Sequence, residues 1–249
     1  MNTPLISIIT VVYNSEKYIE GTLKSIQNQT CKDFEYIIID GDSKDNTLSI
    51  IQRYQDVVSK LISETDKGLY DAMNKGLQMA KGQFVWFINS GDKIYADNTV
   101  ENIVNLYADN PTADIFYGQT QLIDENDNIL GMRKKTAPDK LNKDSLKMGL
   151  MVCHQSILVK KTIADNYNLQ LRVAADYLWV LSALEKAHNI VNTRQILSRY
   201  LENGFSANNQ FLANRERLKV MIEHYGLWST LCSHVKITLR YLLNKIKEK

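Results

Sequence analysis

A chain of 249 residues, 44% of them hydrophobic, can bury a sizeable core as one large domain or two small ones. Its 30 basic residues against 28 acidic leave a formal charge of +2, which argues against a nucleic-acid binder relying on bulk positive charge. Cys31, Cys153 and Cys232 are widely spaced and form no CxxC, so free thiols in a reducing compartment are expected rather than a disulfide framework or a zinc site.

The opening MNTPLISIITVVYN has no basic n-region, and its apolar run is too short for a membrane span. Residues 5–13 are β-branched without alternation, as expected of a strand covered on both faces. Asn14 or Ser15 can cap a helix running to Gln27. FEYIIID at 34–40 reads as a second buried strand, followed by a turn and a helix from Thr47 to Tyr54. A shorter strand covers 58–64, and a helix runs from Leu69 to Ala80 with Gly82 suited to its C′ position. FVWFIN at 84–89 is the next strand. Strands alternating with helices predict a mostly parallel sheet with right-handed crossovers, which binds ligands beyond the carboxyl ends of its strands. Tyr13-Asn14, Asp40-Gly41-Asp42 and Asn89-Ser90-Gly91-Asp92 all fall on that edge. Each alone is an ordinary turn composition. Three such turns, each with an amide or carboxylate at a strand end, point to a binding edge.

The residues 119–147, with DENDN and MRKKTAPDK, are polar and weakly periodic, and read as a mobile loop or a surface excursion. GLMVC at 149–153 reads as a strand leading to His154 and Gln155. RVAADYLWVLSAL reads as an amphipathic helix with Asp176 near its start and Trp179 in its packing face. Asp71, Asn74 and Lys75 share a helix face, where a solvated Asp71–Lys75 ion pair competes with a functional role.

The stretches ISIITVVYNSEKYIEGTLKSIQNQT, EYIIIDGDSKDNT and DKGLYDAMNKGLQMAKGQFVWFINSGD resemble family 2 of the inverting, nucleotide-sugar-dependent glycosyltransferases. HQS, AADY and RYLENGFS extend the likeness more weakly. The resemblance implies an α/β GT-A fold, a Rossmann-like sheet flanked by helices with a C-terminal helical segment. It divides the chain into a nucleotide-sugar half (1–118), an acceptor half (119–205) and an extension (206–249).

It also implies roles for individual residues. Thr10, Tyr13 and Glu16 match positions that hold the nucleoside, with Tyr13 stacking on the base. Asp40 matches the carboxylate that accepts from the imide N–H of uracil or thymine. Lys67 stands near the base or diphosphate, and Asn89 and Gly91 belong to the same donor site. Asp92 matches the ligand of a divalent cation, Mn²⁺ or Mg²⁺, in a turn where the family carries a fuller acidic cluster. One carboxylate suffices if a diphosphate and waters complete the shell. Asp176 matches the base that deprotonates the acceptor hydroxyl. His154, Gln155, Arg199 and Ser206 match positions near the acceptor and diphosphate, although a histidine is as readily a structural hydrogen bonder.

The expected activity is transfer of a sugar from a nucleotide-sugar, UDP-linked by expectation, to a saccharide or lipid-linked saccharide, in cell-surface polysaccharide or glycolipid assembly. A non-catalytic nucleotide-sugar-binding or assembly subunit is the alternative, because the acidic cluster is thinned. A sugar nucleotidyltransferase would need a glycine-rich loop where YNSEKY stands, and no GxGxxG supports a dinucleotide enzyme.

At the C-terminus, Trp228, Leu231, Val235, Leu239, Leu242 and Ile246 form one helical stripe, and residues 236–249 carry a net +4. Such a helix suits an anionic membrane surface, or packs on the body or a second subunit. The expected location is cytoplasmic, peripheral at the inner face of the cell membrane in the first case.

Overall fold

The computed structural model describes residues 3–202 and 210–247, with side chains through Leu239. In chain order the elements are β1 (Ile6–Val12), α1 (Ile19–Gln27), β2 (Phe34–Asp40), α2 (Thr47–Gln52), β3 (Lys60–Ser63), α3 (Leu69–Met79), β4 (Phe84–Phe87), β5 (Lys93–Ile94), α4 (Thr99–Asp109), β6 (Ile115–Ile123), β7 (Ile129–Met132), β8 (Ile157–Lys160), α5 (Ala175–Lys186), β9 (Ile190–Leu201), α6 (Gln210–Tyr225) and α7 (Leu227–Lys247).

Among the described residues nine strands form one sheet, in the order β3-β2-β1-β4-β8-β6-β9-β5, with β7 paired to β6. The first four of that order are parallel, and β8, β5 and β7 run against their neighbours. Both faces of the parallel half are covered, which explains the unbroken apolar runs. Ile9 and Val11 of β1 pack with Met73 and Leu77 of α3. Ile6 and Ile8 pack with Leu23 and Ile26 of α1, and Ile103 of α4, on the other face. Each such side chain contributes roughly 1.5–3 kcal/mol by leaving water.

Several sequence expectations are corrected. Helix α1 starts at Ile19, not directly after Asn14 or Ser15. Asn14 takes a φ of +43°, and its amide oxygen accepts from the Lys44 N–H at 2.8 Å, tying the β1 and β2 loops together. Gly82 is not a C′ residue, since α3 ends at Ala80 in extended backbone. Gly82 is instead needed for close approach, because a Cβ there would lie 2.5 Å from the Ser7 nitrogen.

The 119–147 stretch is only partly loop. It begins in β6, returns through β7 and ends in a 3-10 turn at Lys143–Met148. GLMVC is no strand either. The Arg133 guanidinium donates to the carbonyls of Leu150 (2.9 Å) and Met151 (3.4 Å), so this backbone bonds to a side chain.

Helix α5 is buried on most of its circumference, Trp179 included. The 206–249 extension resolves into α6 and α7, and α6 closes on α5. Its Glu216 carboxylate accepts from the N–H groups of Arg172, Val173 and Ala174 at 2.8–2.9 Å, just before α5 begins. The site half and the extension therefore meet at the helix that carries Asp176.

Candidate active site

The carboxyl ends of β1 and β4, the loop into α3, the start of α5, the end of β9 and one side of α6 enclose a cavity of about 850 Å³. That volume suits a ligand larger than a single hexose.

One end is built from β1 and the approach to α3. Tyr13, 62% exposed, presents its ring to the opening. Beneath it lies Gly41, where a Cβ would stand 2.6 Å from Asp66 Oδ2 and 3.3 Å from the Tyr13 ring. Glycine thus leaves an aromatic face and a carboxylate edge in one slot. Asp66 is held by the Gly68 N–H at 2.7 Å. Asp66 lines the cavity, whereas the resemblance pointed to its neighbour Lys67 in the same turn.

The turn after β4 explains why a buried strand ends in small polar residues. The Thr22 hydroxyl accepts from the Gly91 N–H (3.0 Å) and donates to the Asp92 carbonyl (2.7 Å). Gly91 has a φ of +96°, and a Cβ there would lie 2.8 Å from Leu201. This tight corner turns Asp92 inward. Its Oδ2 accepts from Gln155 Nε2 at 2.8 Å and its Oδ1 from the Leu201 N–H at 3.1 Å. Burial raises the Asp92 carboxyl to about 7 despite those two donors. Asn89 lines the same cavity, and its Oδ1 is buried with no hydrogen-bond partner among the described residues. The described residues hold no cluster of three His, Cys, Asp or Glu for a metal. Asp92 and the orphaned Asn89 oxygen nevertheless offer hard oxygen ligands, the donor chemistry of Mg²⁺ and Mn²⁺ when a diphosphate supplies the rest.

Asp176 lines the cavity from the first turn of α5, with its Oδ1 accepting from the Tyr177 N–H at 2.7 Å. Burial raises its carboxyl above the usual range; the Tyr177 N–H and the charges of Arg217 and Arg133 work against that rise. A raised carboxyl is a stronger base. His154 also lines the cavity, but its Nε2 is bonded to the Tyr167 hydroxyl at 2.6 Å within a cluster of Phe87, Tyr167 and Trp179. Burial lowers it to about 4, so it is neutral near pH 7 and acts by hydrogen bonding, not charge. Gln155 reaches the site by fixing Asp92.

The structure does not bring every expected residue to the cavity. Thr10 is fully buried, donates to the Ile88 carbonyl at 2.6 Å and accepts from the Tyr36 hydroxyl. Asp40 is fully buried, with its oxygens engaged by the Ser43 N–H and the hydroxyls of Ser43 and Ser63. Glu16 accepts from the Asn46 backbone and amide, before α2. Lys67 is exposed outside the cavity, whose lining here is Asp66, Gly68 and Leu69. Gly91 shapes the turn and lies on a small separate recess. Arg199 faces Tyr95, 5.2 Å from its ring centroid, while its neighbour Tyr200 lines the cavity. Ser206 lies outside the described residues. Asp71 and Lys75 are 3.8 Å apart, with Lys75 closer to Glu64, and Asn74 binds the Tyr167 backbone. Tyr200 of the RYLENGFS stretch lines the cavity, as do Arg133, Lys135 and Arg217, which no sequence pattern singled out.

This arrangement, a ligand slot at the carboxyl edge of a Rossmann-like sheet with a carboxylate on the facing helix, is that of a GT-A glycosyltransferase. Residues 7–168 match the model of Glycosyl transferase family 2, and the chain belongs to that family. It is 30% identical to the Escherichia coli UDP-Glc:alpha-D-GlcNAc-diphosphoundecaprenol beta-1,3-glucosyltransferase WfgD, over 99% of this chain and 94% of that protein. Staphylococcus aureus TarS, solved with UDP-GlcNAc, superposes with a TM-score of 0.70 at 21% identity, over 87% of this chain and 64% of that one. The mannosyltransferase PcManGT of Pyrobaculum calidifontis, solved with GDP-Man and Mn²⁺, gives 0.62 at 15% identity, over 94% of this chain and 74% of that one. The two structures establish the shared fold.

Proposed function

We propose that this glycosyltransferase moves a sugar from a UDP-linked donor to a hydroxyl of a lipid-diphosphate-linked saccharide, inverting the anomeric centre, at the cytoplasmic face of a membrane. The observation that carries this reading is a single cavity holding the Tyr13–Asp66 slot, the Asn89–Asp92 oxygen pair and Asp176. The lipid-linked acceptor is supported by full-length similarity to WfgD, whose name gives such an acceptor.

In this reading Tyr13 stacks on the nucleobase, and Asp66 accepts from its imide N–H in place of the buried Asp40. Asp92, with Asn89, would hold a divalent cation, which when bound stabilises charge on the departing nucleoside diphosphate as a Lewis acid. The presence of Mn²⁺ with GDP-Man in the PcManGT complex supports that assignment. Asp176 takes the proton of the attacking hydroxyl from the side opposite the leaving group. Calorimetric titration with UDP, GDP and dTDP, each with and without Mn²⁺, tests the reading. Mn²⁺-dependent binding of UDP alone is expected; preference for GDP would overturn the donor, and no binding of any would favour the non-catalytic alternative.

The C-terminal stripe supports the membrane placement. Trp228, Leu231, Val235 and Leu239 of α7 are 46–80% exposed, whereas Thr230 and Ser233 face the body. This exposure argues against packing of this part of the stripe on the chain's own body, and the net +4 of residues 236–249 favours an anionic surface. Among the described residues no helix is long and apolar enough to cross a membrane. The protein is expected to co-sediment with vesicles containing anionic phospholipid and to lose that binding on Trp228→Glu and Leu231→Glu. Self-association without vesicles, abolished by the same changes, would make the stripe a subunit interface instead.

A further inference from the structure

Three cations converge on the cavity from elements outside the nucleotide half. Arg133 and Lys135 follow β7, and Arg217 projects from α6. The point where a Cβ would stand on Gly149 lies 2.6 Å from Lys135 Nζ and 4.0 Å from an Arg217 guanidinium nitrogen. Arg217 also lies over the ring of Tyr177, at 5.6 Å, and its Nε is buried without a hydrogen-bond partner among the described residues. Arg133 donates to the carbonyls of Lys135, Leu150 and Met151.

None of the three forms a salt bridge among the described residues, although cations elsewhere pair with carboxylates, as Lys75 does with Glu64 and Lys160 with Asp114. Burial, then the charges of Arg217 and Arg133, lower the Lys135 ammonium to about 8. Like charges held this close, with Asp176 in their field but no carboxylate bonded to them among the described residues, fit an anion with several acceptor oxygens; arginine forks match phosphate.

Two phosphate-bearing groups could claim the cluster, the donor's diphosphate and one on the acceptor. The placement favours the acceptor. Tyr13, Asp66, Asn89 and Asp92 come from the parallel half, whereas Arg217 packs on Tyr177, next to Asp176. A base faces the acceptor, so groups on its side do too. The same helix pair exposes Phe211 on α6 and the Trp228 stripe on α7, an apolar route for a tail leaving the phosphate.

We infer that Arg133, Lys135 and Arg217 form the binding site for the phosphate or diphosphate that joins the acceptor sugar to its lipid. This deepens the proposed function and rests on it for the existence of a phospholipid-linked acceptor.

The test is calorimetric titration of a short-chain prenyl diphosphate into the full chain saturated with UDP and Mn²⁺, with the prenyl alcohol as control. Lys135→Ala and Arg217→Ala are each expected to weaken the prenyl diphosphate by about tenfold or more, the scale of a lost charged hydrogen bond, and UDP by less than about twofold. Lys135 lies after β7 outside any helix or strand, so its variant decides the matter if Arg217→Ala fails to fold. Equal weakening of UDP, or competition between UDP and the prenyl diphosphate, would assign the cluster to the donor and overturn the inference. So would prenyl diphosphate binding that neither variant alters, or that the alcohol matches. Wild-type protein that binds the prenyl diphosphate through these residues but no nucleotide would keep this site and sink the donor reading. Nucleotide binding without prenyl diphosphate binding would do the reverse.

Discussion

Asp176→Asn is expected to lower sugar transfer by about 10²-fold or more, the usual cost of losing a general base, while UDP still binds. The substitution is isosteric. The amide oxygen of asparagine can still accept from the Tyr177 N–H, now made at 2.7 Å, so the first turn of α5 should keep its form. What disappears is a lone pair basic enough to take a proton. Burial raises the Asp176 carboxyl while Arg217 and Arg133 keep its charged form accessible, a setting that favours proton uptake on contact with a hydroxyl. A plain helix-terminal aspartate would behave otherwise. Its loss would cost about 0.3–1 kcal/mol of stability through the helix dipole and leave turnover nearly intact. Measuring kcat and thermal stability together separates the two. A fall in kcat of less than about threefold, with a lowered Tm, would remove Asp176 from the chemistry.

The parallel half was readable because its physics is local. In β1, β2 and β4 the β-branched and aromatic runs have no polar face, so burial on both sides is the only comfortable arrangement. The polar strand ends followed from that, and Tyr13, Asn89 and Asp92 with them. The failures depend on tertiary contacts. Thr10 and Arg199 have neighbours that line the cavity, but Thr10 is held inside by Ile88 and Tyr36 and Arg199 lies over Tyr95. Asp40 looked like a free carboxylate until Ser43 and Ser63 closed on it. β6 looked like a polar loop because Gln119 and Thr120 carry no apolar pattern. Its amide and hydroxyl are paired with Ala137 and Ser156, which are distant enough in sequence to leave no local trace. Arg217 is the extreme case. It sits in a largely polar helix, and only the seating of Val220 and Met221 in the core aims it at the cavity.

Asp92→Asn should lower kcat/KM by about 10²-fold, several kcal/mol of leaving-group stabilisation, and make UDP affinity insensitive to Mn²⁺. The reason lies in how little acidity the turn retains. Gly91 cannot carry a side chain against Leu201, so Asp92 is the one carboxylate that this corner presents to the cavity among the described residues. Asparagine keeps an oxygen for one of the two present donors, Gln155 or Leu201, but forfeits the charge. Metal-free stability gives an independent readout. With its carboxyl raised to about 7 by burial, folded Asp92 holds a proton that the unfolded chain has already released above about pH 4. The folded state therefore binds more protons between those values, and stability falls as pH rises through that window, by up to about 4 kcal/mol. Asp92→Asn should remove this fall, so the metal-free variant should equal or exceed wild type at pH 8 while losing transfer. A variant that unfolds more readily at pH 8 and still responds to Mn²⁺ would make Asp92 a structural strut for Gln155 and Leu201, and the cation would need other ligands.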